Sequence, residues 1–120
     1  MGTTTPQQRT GRDAEDEALR HLQSAGLELV AKNYRCRWGE IDLIVRDRQC
    51  LVFVEVRYRR NRRFGGAAES VDGRKQHKVI RTAQTFLSQN PKWSDYPARF
   101  DIVAIEELRA VEWIRNAFET

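Results

Sequence analysis

The spacing of apolar residues predicts that helices and strands alternate along the chain. Residues 12–25 carry apolar side chains at helical spacing and end before Gly26, which indicates a first helix. Residues 70–89 repeat this pattern before Pro91 and predict a second helix. Shorter apolar runs predict four strands and indicate a fifth. Their ranges are 27–35, 40–46, 50–58, 99–105 and 111–114.

The predicted order is α-β-β-β-α-β, with the fifth strand following. Such an order is typical of an α/β protein in which helices flank a mixed central sheet. Residues 50–58 are apolar on both faces of the strand, so this strand is predicted to lie in the middle of the sheet. A chain of 120 residues has room for one core. We therefore predict a single domain over residues 11–120, preceded by a flexible polar tail over residues 1–10.

The composition favours a soluble globular protein. Hydrophobic residues make up 40% of the chain and charged residues 32%, which excludes a disordered polypeptide. The first ten residues lack the apolar segment of a signal peptide, and no apolar run approaches the length needed to span a membrane. These features predict a cytoplasmic protein that has no membrane partner.

Positive charge is concentrated in one segment. Residues 57–81 contain nine basic and two acidic residues and so carry a net +7, which leaves −3 for the rest of a chain whose net charge is +4. A basic zone of this kind is compatible with a solvated surface, and equally with a polyanionic partner such as nucleic acid.

Three carboxylates are predicted to point toward the interior. Glu55 lies among apolar neighbours in the third strand, Asp42 lies in the second strand, and Glu15 shares the apolar face of the first helix. The register of the hairpin formed by the second and third strands is open. A two-residue loop at 47–48 or a four-residue loop at 47–50 brings Asp42 and Glu55 to one face, whereas a three-residue loop separates them.

Converging carboxylates repel one another unless a proton or a cation lies between them. Oxygen ligands on a rigid sheet suit Mg²⁺ or Mn²⁺, and such an ion can activate water and neutralise charge on a phosphate. A neighbouring basic zone would hold the phosphodiester backbone. The residues therefore favour a metal-dependent phosphodiesterase that acts on nucleic acid. A salt bridge to an arginine is the simpler interpretation of any one of these acids taken alone.

Four short motifs resemble a known family. GRDAE at 11–15, GEIDLI at 39–44, FVEVR at 53–57 and RFDIVAI at 99–105 resemble the YraN family of small bacterial proteins over roughly residues 9–118. That family is similar to a branch of the PD-(D/E)xK nuclease superfamily, close to archaeal Holliday-junction resolvases. The resemblance implies a restriction-endonuclease-like fold.

The resemblance also implies a set of metal ligands. Asp42 matches the aspartate of the superfamily motif, and Glu55 matches its acidic partner. Glu15 matches the acid on the first helix, and the backbone carbonyl of Val56 would be a further ligand. The implied cofactor is Mg²⁺ or Mn²⁺.

The basic partners of the site depart from the motif at one position. Arg57 stands where the superfamily has a lysine that orients the attacking water. Arginine keeps the charge but cannot give up a proton, and its guanidinium is bulkier than an ammonium. Lys75 matches a basic position on the second helix that faces the site, and it can take over the lysine's role. Otherwise the site binds metal and nucleic acid without cutting.

Three functions therefore stay open. The first is a Mg²⁺-dependent structure-selective endonuclease that acts on branched or damaged DNA, for which a two-fold homodimer would suit a four-way junction. The second is a non-catalytic nucleic-acid-binding module with the same fold, and the third is a protein-interaction domain. The predicted nucleic-acid-binding residues are Arg59, Arg60, Arg62, Arg63, Lys75 and Lys78.

Four further residues are assigned structural roles. Asp101, between Phe100 and Ile102, is predicted to be a paired structural acid. The tryptophans at 38, 93 and 113 are predicted to pack, although Trp38 could also stack on a base.

Overall fold

The computed structural model describes residues 11–59, 71–106 and 111–119. The described residues form two α-helices, five strands and one short 3-10 helix at Pro91–Trp93. The elements are α1 (Gly11–Ser24), β1 (Glu28–Cys36), β2 (Gly39–Asp47), β3 (Cys50–Arg59), α2 (Gly73–Gln89), β4 (Ala98–Glu106) and β5 (Val111–Phe118). Residues 1–10, for which we predicted a flexible tail, lie outside the described residues. The single domain over residues 11–120 stays a prediction.

The five strands form one mixed sheet in the order β1-β2-β3-β4-β5. The pairs β1–β2, β2–β3 and β4–β5 are antiparallel, whereas β3 and β4 run parallel. The parallel pair needs a crossover connection, and α2 lies within it. The mixed α/β class and the central position of β3 are confirmed. No described helix is long and apolar enough to cross a membrane.

Two element boundaries differ from the sequence-based prediction by more than one residue. The second helix begins at Gly73 and not at residue 70, because Asp72 caps it. The Asp72 backbone is extended, and its carboxylate accepts a hydrogen bond of 2.9 Å from the Lys75 N–H. The fifth strand continues to Phe118, beyond the predicted end at residue 114.

The sheet is covered on both faces. Its α1 face packs against buried residues of that helix, and its α2 face packs against the second helix. Alternate side chains of β3 enter the two cores, so that Val52 and Val54 face α1 while Leu51 and Phe53 face α2. All four are at most 1% exposed. A carboxylate inserted in this run is therefore enclosed by apolar neighbours.

The hairpin formed by β2 and β3 has one of the two favourable registers. Leu43 pairs with Val54 and Asp47 pairs with Cys50, which leaves a two-residue turn at 48–49. The turn is shorter than the four-residue loop that we considered, but the register is the one that this loop predicted. Positions 42 and 55 are opposite each other in this register. The regular ladder ends one residue earlier, at Leu43 and Val54.

Candidate metal centre

Asp42 lies at the point where β2 separates from β3. Its Oδ2 atom accepts a hydrogen bond of 2.8 Å from the Val56 N–H and so takes the place of a ladder bond. Leu51, an odd-numbered residue of β3, directs its N–H to Pro97 on the β4 side instead. Even-numbered residues of β3 therefore direct both backbone groups toward β2. The Val56 carbonyl consequently faces the edge at which Asp42 lies, as a ligand at this position requires.

Three carboxylates converge at this end of β2. Glu15, Glu40 and Asp42 each place one carboxylate oxygen within 4.8 Å of those of the other two, and all three side chains are partly buried. Ala14 and Ala18 pack in the core and bring the first turn of α1 against the sheet, which carries Glu15 inward. The predicted approach of Glu15 to Asp42 is confirmed.

Glu40 is the site residue that the sequence-based prediction missed. It precedes Asp42 by two residues in β2, and this spacing was the signal available in the sequence. Its Oε2 atom forms a salt bridge with the Nε of Arg35. One carboxylate oxygen of Glu40 lies in the cluster.

Glu55 is buried beside the cluster, and its partner is Lys75. The residue is 3% exposed, and its Oε2 atom lies 3.4 Å from the Lys75 Nζ. Its Oε1 atom is buried and has no hydrogen-bond partner among the described residues. Burial raises the pKa of Glu55, and the charges of Lys75 and Arg57 oppose this shift only in part. An unpartnered carboxylate oxygen in the interior fits a site for a cation.

Burial and the neighbouring carboxylates together favour the protonated form of Asp42. Burial is the largest cause that raises the pKa of Asp42 to about 7, followed by repulsion from Glu55. The Val56 N–H opposes the shift, and the charges of Glu15 and Glu40 add to it. A divalent cation would relieve this repulsion without a proton, and all four acids offer the oxygen ligands that Mg²⁺ and Mn²⁺ prefer.

Only part of the predicted basic surface lies within the described residues. Lys75 and Lys78 occupy the first half of α2, with Lys75 beside Glu55 and Lys78 exposed. Arg57 is partly buried and its charge acts on Glu55. The side chain of Arg59 and residues 60–63, which include Arg60, Arg62 and Arg63, lie outside the described residues.

The predicted structural role of Asp101 is confirmed. Its carboxylate is 0% exposed and accepts hydrogen bonds from the Arg99 guanidinium, the Trp113 Nε1–H and the Asn116 N–H. Trp113 and Trp93 pack at the edges of the two cores, as predicted. Trp38 is different, because two guanidinium groups lie against its ring.

These features define an α/β protein with a carboxylate cluster where a central hairpin opens. The model of the family described as uncharacterised protein family UPF0102 matches residues 14–105, and the chain belongs to this family. The matched segment includes every acid of the cluster.

Bacterial relatives match over almost their whole length. A UPF0102 protein of Pseudomonas fluorescens is 51% identical over 117 residues, which cover 94% of this chain and 95% of the relative. A UPF0102 protein of Stutzerimonas stutzeri is 52% identical over 116 residues, which cover 94% of this chain and 97% of the relative.

Proposed function

We propose that this protein is a metal-dependent endonuclease that hydrolyses phosphodiester bonds in branched or damaged DNA. The proposal includes the restriction-endonuclease-like fold that the resemblance to the YraN family implies, and it places the reaction in the cytoplasm. The observation that carries it is the cluster of Glu15, Glu40 and Asp42 beside Glu55, whose inner oxygen has no partner among the described residues.

The proposed ligands of Mg²⁺ or Mn²⁺ come from three elements. Asp42 would use the oxygen that does not accept the Val56 N–H, and Glu55 would use its unpartnered Oε1. The Val56 carbonyl and Glu15 complete the set that we predicted, and Glu40 adds a further acid. The bound ion would activate a water and stabilise charge on the phosphate.

The cations beside the acids would act on the phosphate. Lys75 lies against Glu55, so its ammonium can stabilise the negative charge that develops on the phosphate when water attacks. Arg57 can bind a phosphate oxygen but cannot act as a proton donor or acceptor. We therefore assign the role of the superfamily lysine to Lys75 and phosphate binding to Arg57.

A non-catalytic nucleic-acid-binding module is the second candidate. The observation that favours it is Arg57, which stands where the superfamily motif has lysine. Such a module would bind the metal and the DNA but would not cleave the DNA.

Cleavage assays with matched variants separate the two candidates. Labelled duplex, single-stranded, flap and four-way-junction DNAs are incubated with Mn²⁺ and either the wild type, Asp42→Asn or Asp16→Asn. Asp16 is the control, because its surface ion pair with Lys32 lies outside the cluster. We expect Asp42→Asn to reduce cleavage by more than about 100-fold and Asp16→Asn to leave it unchanged. A wild type that binds these DNAs and cuts none of them would be a binding module.

A further inference from the structure

The turn that joins β1 to β2 carries a tryptophan flanked by two arginines. The Cζ atom of Arg37 lies 4.6 Å from the centroid of the Trp38 ring, and the Cζ atom of Arg81 lies 4.5 Å from it. Arg37 belongs to the turn, Arg81 belongs to α2, and both side chains are exposed. Cation–π attraction therefore holds two guanidinium groups at one place on the surface. We refer to Arg37, Trp38 and Arg81 as the Trp38 cluster.

The Trp38 cluster adjoins the candidate metal centre. Trp38 precedes Glu40 by two residues, with Gly39 between them. Gly39 has φ 151°, and a Cβ atom there would lie 3.5 Å from the Thr82 hydroxyl, so the start of β2 lies close to α2. Along α2, Arg81 follows Lys75 by six residues, which is about 9 Å. One strand of DNA covers that distance in two to three nucleotides.

The charges of the Trp38 cluster are available to a ligand. Within the described ranges, no carboxylate lies in ion-pair range of Arg37 or Arg81, in contrast to Arg35, which pairs with Glu40. The Arg81 Nε donates a hydrogen bond of 3.1 Å to the His77 Nε2. This bond fixes the guanidinium plane and leaves its terminal N–H groups to other acceptors.

We propose that the Trp38 cluster binds the phosphodiester backbone of the nucleic acid, two to three nucleotides from the phosphate at the acid cluster. Two held guanidinium groups match the charge and the spaced oxygens of a phosphate chain. The Trp38 ring is assigned the role of positioning these groups, because both guanidinium groups lie over it. The location of the reacting phosphate rests on the proposed function, whereas the phosphate contact does not.

Salt-dependent binding tests the proposal. Fluorescence anisotropy of a labelled duplex and a labelled four-way junction is measured in EDTA over a series of NaCl concentrations. Arg37→Gln and Arg81→Gln should each reduce the slope of log K against log [NaCl] by about 0.9, which is the value for one lost phosphate contact. Arg48→Gln is the matched control, because Arg48 is exposed at the opposite end of β2 and should leave the slope unchanged.

Variants of Trp38 separate positioning of the arginines from base stacking. Trp38→Leu should reduce the salt slope, because it releases both guanidinium groups, and Trp38→Phe should restore it by keeping an aromatic face. A fall in affinity at unchanged slope in Trp38→Leu would indicate base stacking and would overturn the proposal.

Two other outcomes would overturn it as well. One is a wild-type slope in both arginine variants, and the other is a wild type that binds neither DNA. A wild type that shows the expected slopes but never cuts with Mn²⁺ rejects the proposed nuclease activity and leaves the phosphate site standing.

Discussion

Two buried acids of the same sheet have opposite environments. Asp101 in β4 is fully enclosed, and guanidinium, indole and backbone donors satisfy its carboxylate. Glu55 in the adjacent β3 is almost as buried, but one of its oxygens has no hydrogen-bond partner within the part of the chain that the structure describes. Neighbouring Asp42 is surrounded by three further acids, which raise its pKa together with burial.

This difference separates acids that stabilise the fold from acids that are suited to bind a cation. A buried charge with all its donors in place stabilises the native state, because removing it leaves those donors unpaired. A buried charge among other acids destabilises the native state until a proton or a cation arrives. We therefore expect the two regions to respond with opposite sign to the same substitution, aspartate to asparagine.

The largest effect should be a pH dependence caused by Asp42. Its pKa is about 7 in the folded protein and about 4 when unfolded, so the folded state binds the extra proton between these values. Without metal, the free energy of unfolding should therefore fall as pH rises from 4 to 7, by as much as about 4 kcal/mol, and then level off. Urea unfolding in EDTA at successive pH values measures it. Asp42→Asn should flatten the profile, and an equally steep profile in this variant would assign the proton to another group.

At Asp101 the same substitution should destabilise the protein. Asparagine presents an NH₂ group to donors that need an acceptor, so Asp101→Asn should lose about 3 kcal/mol of unfolding free energy at pH 7. Urea unfolding beside Asp42→Asn, which should be no less stable than the wild type at pH 8, gives the comparison directly. Two variants that were destabilised equally would remove the distinction between the regions.

Metal binding should raise the free energy of unfolding by a smaller amount. Mn²⁺ at 100 times its dissociation constant should raise the free energy of unfolding by about 2.7 kcal/mol, because it binds only the native state. Glu55→Gln should lose this response, and Asp16→Asn should keep it. Thermal unfolding with and without Mn²⁺ is the measurement, and an equal shift in the wild type and Glu55→Gln would exclude Glu55 as a ligand.

The smallest effect concerns the cation at position 57. Arg57→Lys restores the superfamily motif and should leave DNA affinity nearly unchanged while raising Mn²⁺-dependent cleavage by roughly tenfold, since a compact ammonium fits beside an attacking water. Single-turnover cleavage of a four-way junction beside binding in EDTA checks both parts. Slower cleavage by Arg57→Lys would mean that the arginine itself acts in catalysis.

Periodicity predicted most of the fold, because its signals are local. The apolar faces of α1 and α2 and the doubly apolar β3 were readable from the sequence. The end of β5 was not, since Arg115 and Asn116 interrupt its apolar pattern before Phe118. The sequence limited the register of the β2–β3 hairpin to a few alternatives but did not decide between them. The register depends on a turn at 48–49 that lacks glycine and in which Arg48 adopts a positive φ of 57°.

The candidate site was predictable where an acidic residue lay on an apolar face of a helix or strand. Asp42, Glu55 and Glu15 stood out as acids on apolar faces. Glu40 shares a strand face with Asp42 by its spacing, but its proximity to Glu15 in the fold is what assigns it to the cluster. One arginine partner of Trp38, Arg81, comes from α2, so no pattern around the turn could indicate it.

The location of bound Mn²⁺ decides whether the acid cluster is a metal site. A crystal grown with Mn²⁺ and measured near the manganese absorption edge should show an anomalous peak about 2.1 Å from a carboxylate oxygen of Asp42, with Glu55 as a second ligand. The wild type should show this peak, and Asp42→Asn should lose it. Saturating Mn²⁺ with no peak at Asp42, or with the ion bound elsewhere on the chain, would contradict a metal site at the acid cluster.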